Sequence, residues 1–216
     1  MRFTNAYSGV SKIRTAQILS IIVATIGLLV TIMSATLDVN SIGDNPSGSI
    51  MALVGAIAIL GLAMAVLSII ALIMTIGGIN RASKDEPIFK TALAAVIVNI
   101  VAAAVGAAIQ DDPTVSHLIS VVNSVAQMLA AYFVVRGIMN LADQLSDEDM
   151  VADGKRTLTL ILVTFAAGVA FSIIGNFFSN ATAPAASVLL IAAAVLLIAQ
   201  YVVYLVYLGK AKRMLV

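Results

Sequence analysis

Between Asn45 and Asn80 the chain carries no Asp, Glu, Lys, Arg or His. The core of that stretch, Ile50 to Ile79, is built from Ala, Val, Ile, Leu, Met and Gly, with only Ser68 and Thr75 interrupting. About 20 apolar residues suffice to cross a bilayer as a helix. At about 1.5 Å per residue, this run is longer than the hydrocarbon layer is thick, so it must tilt or project beyond it. A water-soluble fold is the alternative, and composition argues against it. Only 11% of residues are charged and 61% are hydrophobic, with a mean hydropathy of +1.08. A soluble domain carries about 25% charged residues, and here too few polar side chains remain to cover a buried core.

The net charge is only +1, which argues against a nucleic-acid partner, since such proteins carry a clustered basic face. The absence of cysteine excludes disulfides, thiol catalysis and thiolate metal sites. No polar stretch is long enough for a separate soluble domain, so residues 1–216 read as a single transmembrane domain. The apolar run Ile18–Met33 is longer than the hydrophobic region of a typical signal peptide and no Ala-x-Ala site follows it. It reads as a retained first span.

The pattern predicts an all-α bundle of six transmembrane helices. The spans are Arg14–Leu37, Ile50–Ile79, Ile88–Gln110, Val115–Gly137, Thr157–Phe178 and Pro184–Leu208. Met1–Lys12 reads as a short basic segment on the membrane surface. Gly43, Asp44, Asn45, Pro46 and Gly48 mark the first loop, and Asp111-Asp112-Pro113 ends the third span. Ile138, Leu141 and Leu145 recur at helical spacing and predict an amphipathic extension of the fourth span. Residues 138–156 form an acidic cytoplasmic loop with Asp143, Asp147, Glu148, Asp149 and Asp153, and do not match an EF-hand.

Orientation follows from the twelve Lys and Arg residues. They fall in four groups: Arg2, Lys12 and Arg14; Arg81, Lys84 and Lys90; Arg136, Lys155 and Arg156; Lys210, Lys212 and Arg213. With six spans, all four lie on one side, and by the positive-inside rule both termini are cytoplasmic. Tyr201, Tyr204 and Tyr207 are then expected at the cytoplasmic interface. The expected location is a cell membrane, in particular a bacterial cytoplasmic membrane, with the lipid bilayer as the first partner.

Each odd span begins with a base and a threonine (Arg14-Thr15, Lys90-Thr91, Arg156-Thr157). Each even span ends near a glycine (Gly78, Gly137, Gly209). The spacing suggests three hairpin repeats in parallel, although any chain of such hairpins must start and stop with charges. Small residues four apart, such as Gly61 with Ala65 and Ala102 with Gly106, suit close helix approach.

The fourth span is the most polar. Ser116, Ser120, Asn123 and Gln127 share about one third of its circumference. With Asn99, which is expected to meet Gln127, they are the candidates for a solute path; the plainer reading is hydrogen bonding between helices. Arg136, with Tyr132 and Asn140 on its face, is the candidate for an anion or lipid headgroup, or it simply snorkels. Gln17, Thr164, Ser172, Asn176 and Gln200 are further polar residues within spans. No carboxylate lies deep in a span, which weighs against proton coupling and against a metal site. His117, the single histidine, lacks convergent partners. The sequon Asn180-Ala181-Thr182 matters only in a eukaryotic secretory pathway.

No cofactor is implied and no catalytic constellation appears. Two classes of function follow. The first is a small transporter, or the membrane subunit of one, for a neutral or weakly polar small solute. The second is an accessory subunit that docks a membrane or cytoplasmic protein partner through its helices and acidic loop.

Overall fold

The computed structural model describes residues 3–35, 48–109, 113–178 and 183–216. Within these, side chains are not described at 34–35, 48–50, 113–114, 116–117, 120, 169, 171–178, 183–191, 193–194 and 197. Six helices account for nearly all of the described chain: α1 (Thr4–Ala35), α2 (Gly48–Ala82), α3 (Ile88–Ala108), α4 (Pro113–Gln144), α5 (Glu148–Phe178) and α6 (Ala183–Met214). Each packs on its neighbours in chain order, and α6 returns to α1, closing a ring. The α1–α2 and α3–α4 hairpins make the most extensive contacts.

Among the described residues, four helices are long and apolar enough to cross a membrane: Thr4–Met33, Met51–Ala82, Ile88–Ala108 and Val121–Gln144. Their apolar side chains point outward. Ile59 and Leu62 on α2 are 71% and 69% exposed, and Ile73, Val101, Leu118 and Val121 are also exposed. Patches of this size on α2, α3 and α4 have no place in water. These are the helices of a multi-pass membrane protein. Several hydroxyl groups are satisfied within their own helix. Thr25, Thr31, Thr75 and Thr164 each donate to the carbonyl four residues earlier, at 2.7–2.9 Å. This back-bonding is how a hydroxyl avoids being left unpaired in an apolar layer.

The buried core lies at the basic end. Ala6, Val10 and Ile13 of α1 pack with Ile79 and Ala82 of α2, Phe89 and Ala92 of α3, Val134, Val135, Ile138 and Leu141 of α4, Ile161 of α5, and Tyr204, Tyr207, Leu208 and Ala211 of α6. Glycines let the helices close there. A Cβ on Gly9 would lie 2.5 Å from the Gly78 carbonyl oxygen, and one on Gly78 would lie 2.8 Å from that of Gly9. Gly137 sits against Ile88 and the Phe89 ring, and Gly154 against Met139 and Tyr207. Gly61 faces open space, so the tight crossings are not where the Gly61–Ala65 spacing suggests.

Two expectations need correction. Thr4–Lys12 does not lie apart on a surface. It forms the first turns of α1, with Ala6 and Val10 fully buried, because small residues there fit against Gly78 and Ala82. The segment 138–156 is not a loop. α4 runs to Gln144 and α5 starts at Glu148, so its acids sit on two helix ends and a three-residue turn. Tyr204 and Tyr207 are buried within the bundle end. Beyond the expected end of the sixth span, α6 runs on through the basic residues as far as Met214. The α4 extension through Ile138 and Leu141 is present and fully buried. The segments 36–47, 110–112 and 179–182, with the expected loops and the sequon, lie outside the described residues, as does the His117 side chain.

The α4–α5 corner is closed by its own backbone. The Ser146 N–H donates to the Asp143 carbonyl at 3.0 Å and the Asp147 N–H to the Ala142 carbonyl at 2.9 Å. This is a Schellman closure, with Ser146 (φ 56°) in the left-handed position where glycine is usual. Asp147 then caps α5, its Oδ1 accepting the Met150 N–H at 2.9 Å. Glu148 and Asp149 follow in the first turn, where the helix dipole favours negative charge.

Candidate functional site

The polar residues in the middle of the bundle meet between α3 and α4. Asn99 Nδ2 donates to the Asn123 carbonyl oxygen at 3.2 Å and to Asn123 Oδ1 at 3.3 Å. Asn99 therefore pairs with Asn123 rather than with Gln127. Periodicity placed all the α4 residues on one face, but the rotation of α3 against that face decides which one is met. Gln127, one turn further along, is exposed and makes no hydrogen bond to the described residues. The side chains of Ser116 and Ser120 lie outside the described residues. Of the path candidates, the structure brings together Asn99 and Asn123 and leaves Gln127 exposed.

Arg136 is exposed on α4. Its Nη1 donates to Tyr132 Oη at 3.2 Å, one turn back on the same helix. The Tyr132 ring is held edge-on to Phe133, with centroids 5.4 Å apart. Asn140, expected beside Arg136, turns instead toward the α2–α3 connection, donating to Glu86 Oε1 at 3.3 Å.

That connection, residues 83–87, holds several helices with two adjacent acids. Asp85 Oδ2 accepts the Ala6 N–H at 2.7 Å, and Oδ1 accepts Asn5 Nδ2 at 2.9 Å, so Asp85 caps α1 from a distance of 79 residues along the chain. Glu86 is only 8% exposed. Its carboxylate accepts Asn140 Nδ2 at 3.3 Å and Gln144 Nε2 at 3.2 Å from α4, and the Ile88 N–H at 3.4 Å. From the sequence, Arg81, Lys84, Asp85, Glu86 and Pro87 read as a short charged loop. Asp-Glu-Pro before a helix start was the only available signal, and it says nothing about the distant partners.

The acidic corner lies at the same end. Asp143, Glu148 and Asp149 are exposed. Asp153 is neutralised by Lys210 at 2.6 Å, with Arg156 at 3.8 Å. A surface hollow of about 410 Å³, lined by Asp143, Asp147, Glu148 and Lys155, lies on one side of Asp147. A second, of about 470 Å³, is lined by Asp149, Asp153, Lys210 and Arg213. Among the described residues, no three carboxylate or imidazole groups converge as metal ligands.

Among the described residues, three buried polar atoms have no hydrogen-bond partner: Arg14 Nε and Gln17 Nε2 on α1, and Tyr207 Oη on α6. Sequence reading noted Gln17 only as a polar residue within a span and gave Arg14 no role beyond orientation. No protein-family model, curated protein or solved structure matches this chain.

Proposed function

We propose that this chain is a six-span integral membrane protein, arranged as three parallel hairpins with both termini on the cytoplasmic side, and that it acts as a non-catalytic interaction subunit. Gln127 carries the reading. It lies about 18 Å from the predicted start of its span, near mid-membrane, exposed and without a partner among the described residues. Lipid tails cannot satisfy an amide, and neighbouring helices can. A partner helix crossing α4 at this level would accept and donate to it. The capped α4–α5 corner gives a cytoplasmic partner a rigid acidic footing. Basic residues on that partner would meet Asp143, Glu148 and Asp149.

The test is co-purification from native membranes in mild detergent, followed by mass spectrometry. The wild type should bring down a stoichiometric membrane protein. Gln127→Leu should reduce that recovery by about fivefold, since an interhelical hydrogen bond in lipid contributes about 1 kcal/mol. Equal recovery with Gln127→Leu refutes the assignment.

A second reading keeps the stripe on α4 as a path for a neutral or weakly polar solute, because Asn123 and Gln127 stand one turn apart and Gln127 is open. Its support is weaker, since Asn99 and Asn123 already satisfy one another. A small molecule retained by the wild type and lost on both Asn123→Ala and Gln127→Ala, with no protein partner recovered, would favour it.

A further inference from the structure

Arg14 Nε and Gln17 Nε2 are hydrogen-bond donors, so what each lacks is an acceptor. The two residues are three apart on α1 and share a face. That face looks toward α6: Arg14 Nε lies 3.5 Å from where a Cβ on Gly209 would sit. Tyr7 lies two turns before Arg14 in line with it, and Lys212 of α6 holds its Nζ 5.5 Å from the centre of the Tyr7 ring. Along the α1–α6 seam stand a guanidinium, an amide donor one turn on along α1, and an ammonium held two turns back at Tyr7. No described carboxylate pairs with Arg14 or Lys212, and Asp153 is taken by Lys210 and Arg156.

The depth of the seam matches a particular ligand. From Thr15 to Ala35, α1 carries no charge. That length is about 30 Å, the thickness of the hydrocarbon layer, so Arg14 stands at its boundary. Helix side chains lean toward the N-terminus of their helix. Arg14 and Gln17 therefore lean out of the apolar layer, toward the headgroups. A guanidinium matches phosphate oxygens in pairs.

We propose that Arg14 and Gln17, with Lys212 at the mouth, bind a phosphate-bearing anion in the α1–α6 seam. The anion is either the headgroup of an anionic phospholipid or free inorganic phosphate. Its depth favours the headgroup. This rests on the membrane-spanning reading above and is independent of any protein partner.

The experiment uses the full chain in discs of phosphatidylcholine, with and without phosphatidylglycerol, and counts retained lipid by native mass spectrometry after detergent release. The wild type should retain phosphatidylglycerol. Arg14→Leu and Gln17→Leu should each weaken retention by about tenfold, the effect of losing a charge-assisted hydrogen bond. Arg156→Leu, which removes an exposed cation outside the seam, should leave it unchanged. Gln17 makes no hydrogen bond to the described residues, so Gln17→Leu keeps the site testable if Arg14→Leu fails to fold. A parallel arm adds inorganic phosphate to phosphatidylcholine discs; saturable binding there that is lost in Gln17→Leu, without retention of phosphatidylglycerol, assigns the site to free phosphate. Two results overturn the proposal: no anion binding by wild-type protein that has inserted into the discs, which leaves the span reading standing, or equal losses in Gln17→Leu and Arg156→Leu.

Discussion

The carboxylate of Asp85 accepts the backbone N–H of Ala6 at 2.7 Å, across an interval of 79 residues. Ala6 is in the first turn of α1, where N–H groups have no partner within the helix. Asp85 also accepts from Asn5, so one side chain at the α2–α3 turn ties down the start of α1. Asp85→Ala should lower stability in detergent by about 1–2 kcal/mol, the usual size of a lost N-cap with its charge. Asp85→Asn should lose less, because its amide oxygen still accepts. Denaturant titration followed by circular dichroism reads both, and two variants as stable as the wild type would remove Asp85 as a cap.

Adjacent glycines on α2 should behave oppositely. Gly78 presses against the Gly9 backbone, while Gly77 has nothing within 4 Å of an added Cβ. Gly78→Ala should therefore cost about 1–3 kcal/mol by forcing α1 and α2 apart. Gly77→Ala should be neutral or stabilise by up to about 1 kcal/mol. Thermal unfolding of the two single variants side by side gives the comparison, and equal shifts would contradict the crossing.

Ser146 takes φ 56° at the end of α4, a conformation that costs an L-residue about 1–2 kcal/mol. Ser146→Gly should recover most of this, and Ser146→Val should lose more. The expected order of unfolding temperatures is glycine, serine, valine. A glycine variant no more stable than serine would mean that the Schellman closure does not form.

Much of the fold is legible in the sequence, because it follows from hydropathy along a single chain. The six apolar runs become six helices, and the spacing of Ile138 and Leu141 foretells the end of α4. What stayed illegible depends on partners. Ala6 and Gly9 are small residues with no apolar stripe, and their burial is set by Gly78 and Ala82 on another helix. Asp147, Glu148 and Asp149 read as a solvated loop because they are charged, yet a cap followed by acids is also how a helix begins. At the candidate site, periodicity grouped Asn123 and Gln127 but could not say which of them Asn99 would meet. That choice depends on how α3 is rotated against α4.

In the proposed arrangement, six spans place both termini and the basic turns on one side of the membrane. The chain has no cysteine, so single cysteines can be labelled without background. Ser83→Cys, Asp143→Cys and Val216→Cys report on one side, and Ser47→Cys and Ser179→Cys on the other. In intact cells, a membrane-impermeant maleimide should label only Ser47→Cys and Ser179→Cys. The other three should react once the membrane is opened. Labelling of Val216→Cys in intact cells while Ser83→Cys stays protected would contradict the six-span arrangement.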